Sequence, residues 1–270
     1  MSGLRIDTGL RANVALGTHL QRLKCPDTAV SCIDVEDKCC IPDKGWMMLA
    51  LDWNIDRPID KFTLHGFWPA DCETGIFPPG GCASVRTKPS KDLPRFPSLK
   101  LDMEKHWLSN DGDDAWLWNH EWNKHGTCLS TIQKDCHLDV SNDHLPFRYF
   151  KASLDQYHQF DVYAELKKNN VVPRLKPYPQ KEIVDALKRW AFSFQLQCIK
   201  GRLNQIFFLR LGKARDEFID RTYTGMHNCP RNIKFLPKGI NITALAIKEA
   251  QENQKFLDGM KKRGQIHSDF

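Results

Sequence analysis

Two histidine-bearing blocks, far apart in the chain, hold the side chains best suited to moving protons: Phe62-Thr63-Leu64-His65-Gly66-Phe67-Trp68-Pro69 and His120-Glu121-Trp122-Asn123-Lys124-His125-Gly126-Thr127-Cys128. The second block packs two imidazoles, a carboxylate and an ammonium group into the stretch from His120 to His125, a concentration of charge that folding alone does not reward. On a helix, at about 100° per residue, His120, Lys124, Glu121 and His125 fall at roughly 0°, 40°, 100° and 140°. One face therefore presents all four. They bring no obvious hydrolytic nucleophile, and they lack the several carboxylates that a metal-dependent phosphoesterase generally needs. What remains is proton transfer combined with anion stabilisation. Imidazoles titrate near pH 6.5, so two of them can hold opposite protonation states and act as base and acid in one step.

A phosphodiester with an internal nucleophile suits such a face. RNA supplies that nucleophile in its 2′-hydroxyl. Cleavage then requires only that the hydroxyl lose a proton, the departing oxygen gain one, and the charge building on phosphorus be borne. Lys124 fits the last task with His120 beside it, and Glu121 lies within a helical turn of both Lys124 and His125, where it can orient them or tune their pKa values. His65 belongs to a stretch that reads as a strand over Lys61–Trp68. Phe62, Leu64 and Gly66 are expected on one side, Thr63, His65 and Phe67 on the other, with Pro69 ending the strand. Trp68 offers a face on which a nucleobase can stack, at roughly 1 to 3 kcal/mol per base. Of Trp116, Trp118 and Trp122, which read mainly as packing, Trp118 is the one singled out for a test.

These groups need rigid mounts. The apolar run Trp46–Trp53 reads as a buried strand. Helices are expected over Leu101–Leu108, Asp114–His125, Pro146–Asn169 and Gln180–Ala191, and a hairpin over Leu196–Lys200 and Gln205–Leu211 about Gly201-Arg202. The proline- and glycine-rich stretch Ile76–Pro97, punctuated by Cys82, reads as an ordered surface loop. The mixture points to an α+β fold, a central antiparallel sheet flanked by helices. The chain has 270 residues and no linker splits it. A catalytic domain over residues 25–238 is expected between an N-terminal extension, residues 1–24, and a C-terminal helical extension, residues 239–270, in which Ile242–Arg263 reads as a charged amphipathic helix packed lightly on the core. No segment approaches the eighteen or so apolar residues needed to cross a bilayer.

Both blocks resemble the two active-site segments of the T2 family of ribonucleases, found in fungi, plants and animals. The resemblance implies a catalytic pair at His65 and His125, a phosphate-binding histidine at His120, and a transition-state-stabilising acid and base at Glu121 and Lys124. It implies cleavage of single-stranded RNA through a 2′,3′-cyclic phosphate, with low base specificity, no cofactor and no metal. In the family's usual assignment the residue matching His125 takes the 2′-hydroxyl proton and the one matching His65 protonates the leaving 5′-oxygen. One departure stands out. Fungal members commonly carry Asp directly after Trp-Pro to hydrogen-bond an adenine, whereas Ala70 stands there in this chain and cannot accept that bond. Asp71, one residue later, is the substitute candidate for base contact.

The ten cysteines support the same reading. They include no Cys-x-x-Cys, and an even number in a loop-rich chain suggests disulfides over zinc. Counting alone leaves roughly nine hundred pairings open. The resemblance narrows them to Cys25 with Cys40, Cys32 with Cys72, Cys39 with Cys136, Cys82 with Cys128, and Cys198 with Cys229. Disulfides call for a secreted or vacuolar/lysosomal setting, although Met1–Lys24 contain no apolar run of signal-peptide length. The sequon Asn241-Ile242-Thr243 fits a glycosylated surface. The net charge of +6 is compatible with a polyanionic partner but too modest to identify one. A monomer is expected. His106, His137, His144, His158, His227 and His267 each read as isolated surface or structural residues. The competing reading of another class is a catalytically silent RNA-binding or signalling protein on the same scaffold; it would bind an oligonucleotide without shortening it.

Overall fold

The protein is described by a computed structural model over residues 25–33, 37–56, 60–136, 144–190, 193–214, 217–222 and 226–262. The expected N-terminal extension, His137 and His267 lie outside the described residues. Strands β1 (Trp46–Asp52) and β2 (Thr63–Ala70) are neighbours in an antiparallel sheet. Its order is completed by β5 (Arg202–Lys213) on the other side of β1 and β4 (Phe194–Ile199) beyond it, while β6 (Glu217–Asp220) pairs with the far end of β5. A two-stranded sheet joins β3 (Tyr178–Pro179) to β7 (Asn232–Ile233). The helices are α1 (Pro97–His106), α2 (Asp114–Lys124), α3 (Leu145–Tyr157), α4 (Val162–Lys168), α5 (Gln180–Ala186) and α6 (Ile242–Lys262). This is the expected α+β fold.

β1 lies between β2 and β5, and Leu49, Ala50 and Leu51 are fully buried in succession. A strand covered on both faces shows a continuous apolar run, which is how its sequence reads. β2 departs from the expected strand in two ways. It continues through Pro69 to Ala70, which is tolerable because it is an edge strand and the missing N–H is not needed on the open side. Its alternation is also broken. Leu51 pairs with Leu64 and Ala50 with Gly66, leaving His65 as the extra residue of a β-bulge. Phe67 consequently turns into the core, fully buried, and His65, Gly66 and Trp68 come together on the other side. Bulges re-aim side chains in this way, often beside active sites.

The edge is covered by side chains. Tyr157 Oη donates to Phe62 O at 3.0 Å, Trp107 Nε1 to His65 O at 2.7 Å, and Tyr149 Oη to Phe67 O at 2.9 Å. The catalytic-block strand is thereby fastened to α3 and to the end of α1, and carbonyls that would otherwise be open to another chain are satisfied.

Helix bounds differ from expectation where local signals compete. α1 starts at Pro97, not Leu101, because proline suits the first helical turn. The long helix expected over Pro146–Asn169 is two helices. α3 stops at Tyr157 and α4 begins after Asp161, whose carboxylate accepts from Ala164 N at 3.0 Å as an N-cap. α5 ends at Ala186 and a 3₁₀ turn, Lys188–Trp190, follows. The β4–β5 turn is Lys200–Gly201, one residue earlier than read. Within Ile76–Pro97 a 3₁₀ helix, Pro89–Arg95, buries Leu93. Asn241 is exposed and its Oδ1 caps α6 through Ala244 N at 2.9 Å.

Five disulfides join Cys25–Cys40, Cys32–Cys72, Cys39–Cys136, Cys82–Cys128 and Cys198–Cys229, the pairs that the resemblance implies. Cys32–Cys72 ties the N-terminal segment to the chain just after β2, and Cys82–Cys128 ties the proline-rich loop to the segment after α2.

Candidate active site

α2 begins where Asp113 accepts from Trp116 N at 2.8 Å and ends at His125, whose N–H closes on Glu121 O at 3.0 Å. His120 and Glu121 thus occupy its last turn and His125 its C-cap. Beyond it Gly126 is required: a Cβ there would lie 2.6 Å from the Trp122 ring and 2.7 Å from Tyr149. The opposite face of α2 anchors the proline-rich loop. The Asn123 side-chain amide holds the Thr87 backbone at both ends, Oδ1 accepting from Thr87 N at 2.9 Å and Nδ2 donating to Thr87 O at 2.8 Å, and Asn119 Oδ1 accepts from Ser90 N at 3.0 Å.

The bulged strand meets the helix end through Trp68. Its indole N–H donates to Glu121 Oε2 at 2.7 Å. Its ring stacks on His125, with centroids 5.1 Å apart and planes at 22°, and stands edge-on to His65 at 5.3 Å. Both imidazoles therefore lie against one tryptophan. His65 Nε2 is 3.7 Å from Glu121 Oε1, and His120 and His125 have ring centroids 6.3 Å apart. The Glu121–Trp68 contact depends on Gly66: a Cβ there would sit 2.0 Å from Glu121 Oε2 and 2.2 Å from Trp68 Nε1. His120, Glu121, Lys124 and His125 come together at the end of α2 as the helical wheel expected, and the bulge, which the strand reading did not foresee, turns His65 and Trp68 toward them.

The surroundings drive the two imidazoles in opposite directions. Burial by itself would lower the pKa of His65, but the charge and hydrogen bond of Asp52, aided by Glu121, outweigh it and carry the group up to about 9. Burial lowers His125 to about 3, with the charges of Lys124, His120 and His65 acting in the same direction. Near neutrality His65 is an imidazolium and His125 a neutral base. Burial also lifts Glu121 to about 7, against the pull of His65, Trp68 and Lys124, and lowers His120, with Lys124, His65 and Arg86 contributing. Glu121 Oε1 and His125 Nδ1 are buried without a hydrogen-bond partner among the described residues. Groups of this kind, in one cleft, are poised for a ligand.

His120, Glu121 and His125 bring one ligand atom each within 4.8 Å of the others, a spacing that could also hold a metal. The electrostatics oppose this. The Lys124 and His65 charges bear on all three residues, and a field of that sign favours an anion.

Several participants escaped the sequence reading. Asp52, 3% exposed at the end of β1, accepts from His65 Nδ1 at 3.0 Å, and is itself held by Gln205 Nε2 at 2.7 Å and Asn110 Nδ2 at 3.2 Å. A lone carboxylate closing an otherwise apolar run was the available signal. Phe77 stands edge-on to Trp68 at 5.6 Å and to His125 at 5.9 Å. Asp71 is engaged elsewhere: its Oδ1 accepts from Glu73 N, Thr74 N and Thr74 Oγ1 at 3.1, 2.9 and 3.0 Å, shaping the turn that returns Phe77 to the site. Among the helix tryptophans Trp118 packs as read, and it is Trp116 that departs from the packing reading. The Trp118 N–H donates to Trp107 O inside the core, whereas Trp116, 56% exposed, stacks on His120 at 5.0 Å and 21°.

Comparison with known proteins agrees with this geometry. A profile of the ribonuclease T2 family matches residues 30–229. Ribonuclease Rh of Rhizopus niveus is 30% identical over 243 residues, covering 85% of this chain and 100% of the relative. Ribonuclease T2 of Aspergillus oryzae is 32% identical over 259 residues, covering 87% and 92%. The crystal structure of Actibind, a T2 ribonuclease, superposes with a TM-score of 0.73 at 25% identity, covering 79% of this chain and 97% of that one. The chain belongs to the ribonuclease T2 family. It is an endoribonuclease.

Proposed function

We propose that this enzyme cleaves single-stranded RNA by transphosphorylation, without a metal, using His125 as base and His65 as acid. His125 takes the 2′-hydroxyl proton. The 2′-oxygen bonds to phosphorus, the P–O5′ bond breaks, and His65 delivers its proton to the departing 5′-oxygen. Lys124 and His120 bear the charge on the non-bridging oxygens, and Glu121, with a pKa raised to about 7, offers a carboxyl that can share a proton with the phosphoryl group. Hydrolysis of the cyclic product reverses the roles. Water loses its proton to His65, now neutral, and His125, now charged, protonates the 2′-oxygen, leaving a 3′-phosphate.

The observation that carries this reading is the convergence of two imidazoles of opposite protonation on one tryptophan, His65 at 5.3 Å and His125 at 5.1 Å from the Trp68 ring. A nucleobase rests against the Trp68–Phe77 aromatic pair. With Ala70 buried in β2 and unable to accept a hydrogen bond, base selectivity is low. The five disulfides favour an oxidising compartment, secreted or vacuolar/lysosomal.

The test is digestion of a defined RNA with excess chelator, with the new termini identified by mass spectrometry. Cyclic phosphate ends that later become 3′-phosphates are expected. Loss of cleavage on chelation, or 5′-phosphate products, would overturn the mechanism. Binding without shortening would favour the silent scaffold.

A further inference from the structure

We propose that Asp102, His106 and His158 form a second site, outside the catalytic cleft, for a divalent transition cation of the zinc class. Asp102 and His106 are one turn apart on α1, and His158 is the C-cap of α3. His158 Nε2 lies 3.0 and 3.2 Å from the two Asp102 oxygens, His106 Nε2 lies 3.7 Å from Asp102 Oδ1, and all three ligand atoms fall within 4.8 Å of one another.

The hydrogen bonds around His106 give this cluster its meaning. Tyr157 Oη has one proton and donates it to Phe62 O at 3.0 Å, so toward His106 Nδ1, 3.4 Å away, it can only accept. The ring proton therefore sits on Nδ1. Nε2 of this imidazole, in a residue only 7% exposed, presents a lone pair to a carboxylate oxygen. The two acceptors face each other at 3.7 Å, with His158 Nε2 3.2 Å from the same carboxylate oxygen. Fixing one ring nitrogen by an outer hydrogen bond so that the other faces a ligand is how metal-binding histidines are oriented.

Zinc–nitrogen and zinc–oxygen bonds of about 2.0 to 2.2 Å put tetrahedral ligand atoms about 3.3 Å apart, a value that the 3.0 and 3.7 Å separations bracket. Two imidazoles and a carboxylate leave a fourth position for water. They suit zinc better than the oxygen-seeking calcium and magnesium. The adjoining recess, about 120 Å³, is lined by His106, His158 and Asp161, and also by Lys61, whose charge opposes a cation. Such a cation would clamp α1 to α3, the two elements that fasten β2.

The experiment uses metal-free protein carrying His125→Ala, which disables the other histidine cluster, and titrates zinc by calorimetry alongside thermal melts. One equivalent bound in the micromolar range with a rise in Tm is expected. Asp102→Asn and His158→Ala, at side chains 35% and 45% exposed, should each weaken binding at least about tenfold, since even outer-sphere changes cost that much. Cobalt(II) should give the visible bands of a tetrahedral complex, lost in His158→Ala. Absence of binding at millimolar zinc, or binding and Tm shifts equal in the parent and both variants, would overturn the proposal.

Discussion

Asp52 Oδ2 and His65 Nδ1 lie 3.0 Å apart at the floor of the site, joining the last residue of β1 to the bulge of β2. The carboxylate faces the ring nitrogen remote from Glu121, leaving Nε2 turned toward the cleft. In the proposed mechanism it is a positioning residue, orienting His65 and holding it charged.

Asp52→Asn keeps the shape and removes the charge. The His65 pKa should fall from about 9 toward its ordinary value, so the alkaline limb of kcat/KM moves to lower pH while the rate below pH 6 changes little. The same contact contributes stability that is present below pH 6.5 and is lost as pH rises through about 9. In the variant this pH dependence should disappear from denaturant melts. An unmoved alkaline limb would contradict the assignment.

The wild-type pH–rate profile should be bell-shaped. Activity rises as His125 loses its proton and falls as His65 loses its own. With these groups drawn to about 3 and about 9, the maximum lies on the acid side of neutrality. Initial rates on a dinucleotide from pH 3 to pH 10 measure this; a rate still climbing at pH 9 would contradict it. DNA, lacking the attacking hydroxyl, should remain uncut.

Trp68→Phe preserves a ring beside His125 but deletes the 2.7 Å bond to buried Glu121. An orphaned carboxylate oxygen costs about 1 to 3 kcal/mol, and the Glu121 pKa should climb above about 7. A fall of about tenfold or more in kcat, with KM changed less, is expected from steady-state kinetics.

Gly66→Ala inserts a methyl 2.0 Å from Glu121 Oε2. The Glu121 carboxylate and the Trp68 indole must give way, so activity should fall at least about a hundredfold while far-UV circular dichroism shows the fold retained. Crystals of the variant would show Glu121 displaced.

Much of the site was legible because its chemistry is local. His120, Glu121, Lys124 and His125 share a helix face that a 3.6-residue period fixes, and His65 and Trp68 adjoin each other. The contribution of Asp52 was not legible. It depends on the register of β1 against β2 and on the bulge at His65, and neither follows from the pattern of either strand alone. Phe77 was missed for a similar reason: a turn closed by the Asp71 carboxylate brings it back to the site, and that same turn engages the aspartate expected to contact a base. The break between α3 and α4 shows how an N-cap at Asp161 overrides a helical stripe that continues past it. His158 read as isolated because it reaches Asp102, one turn from His106, only when α1 packs on α3.

The most direct test is a ¹H–¹³C NMR titration of the imidazoles in the free enzyme, assigned with His65→Ala and His125→Ala. The expected result is a His65 midpoint near 9 and a His125 ring that stays neutral down to about pH 3. Two midpoints lying together near pH 6.5 would contradict the division of labour on which the mechanism rests.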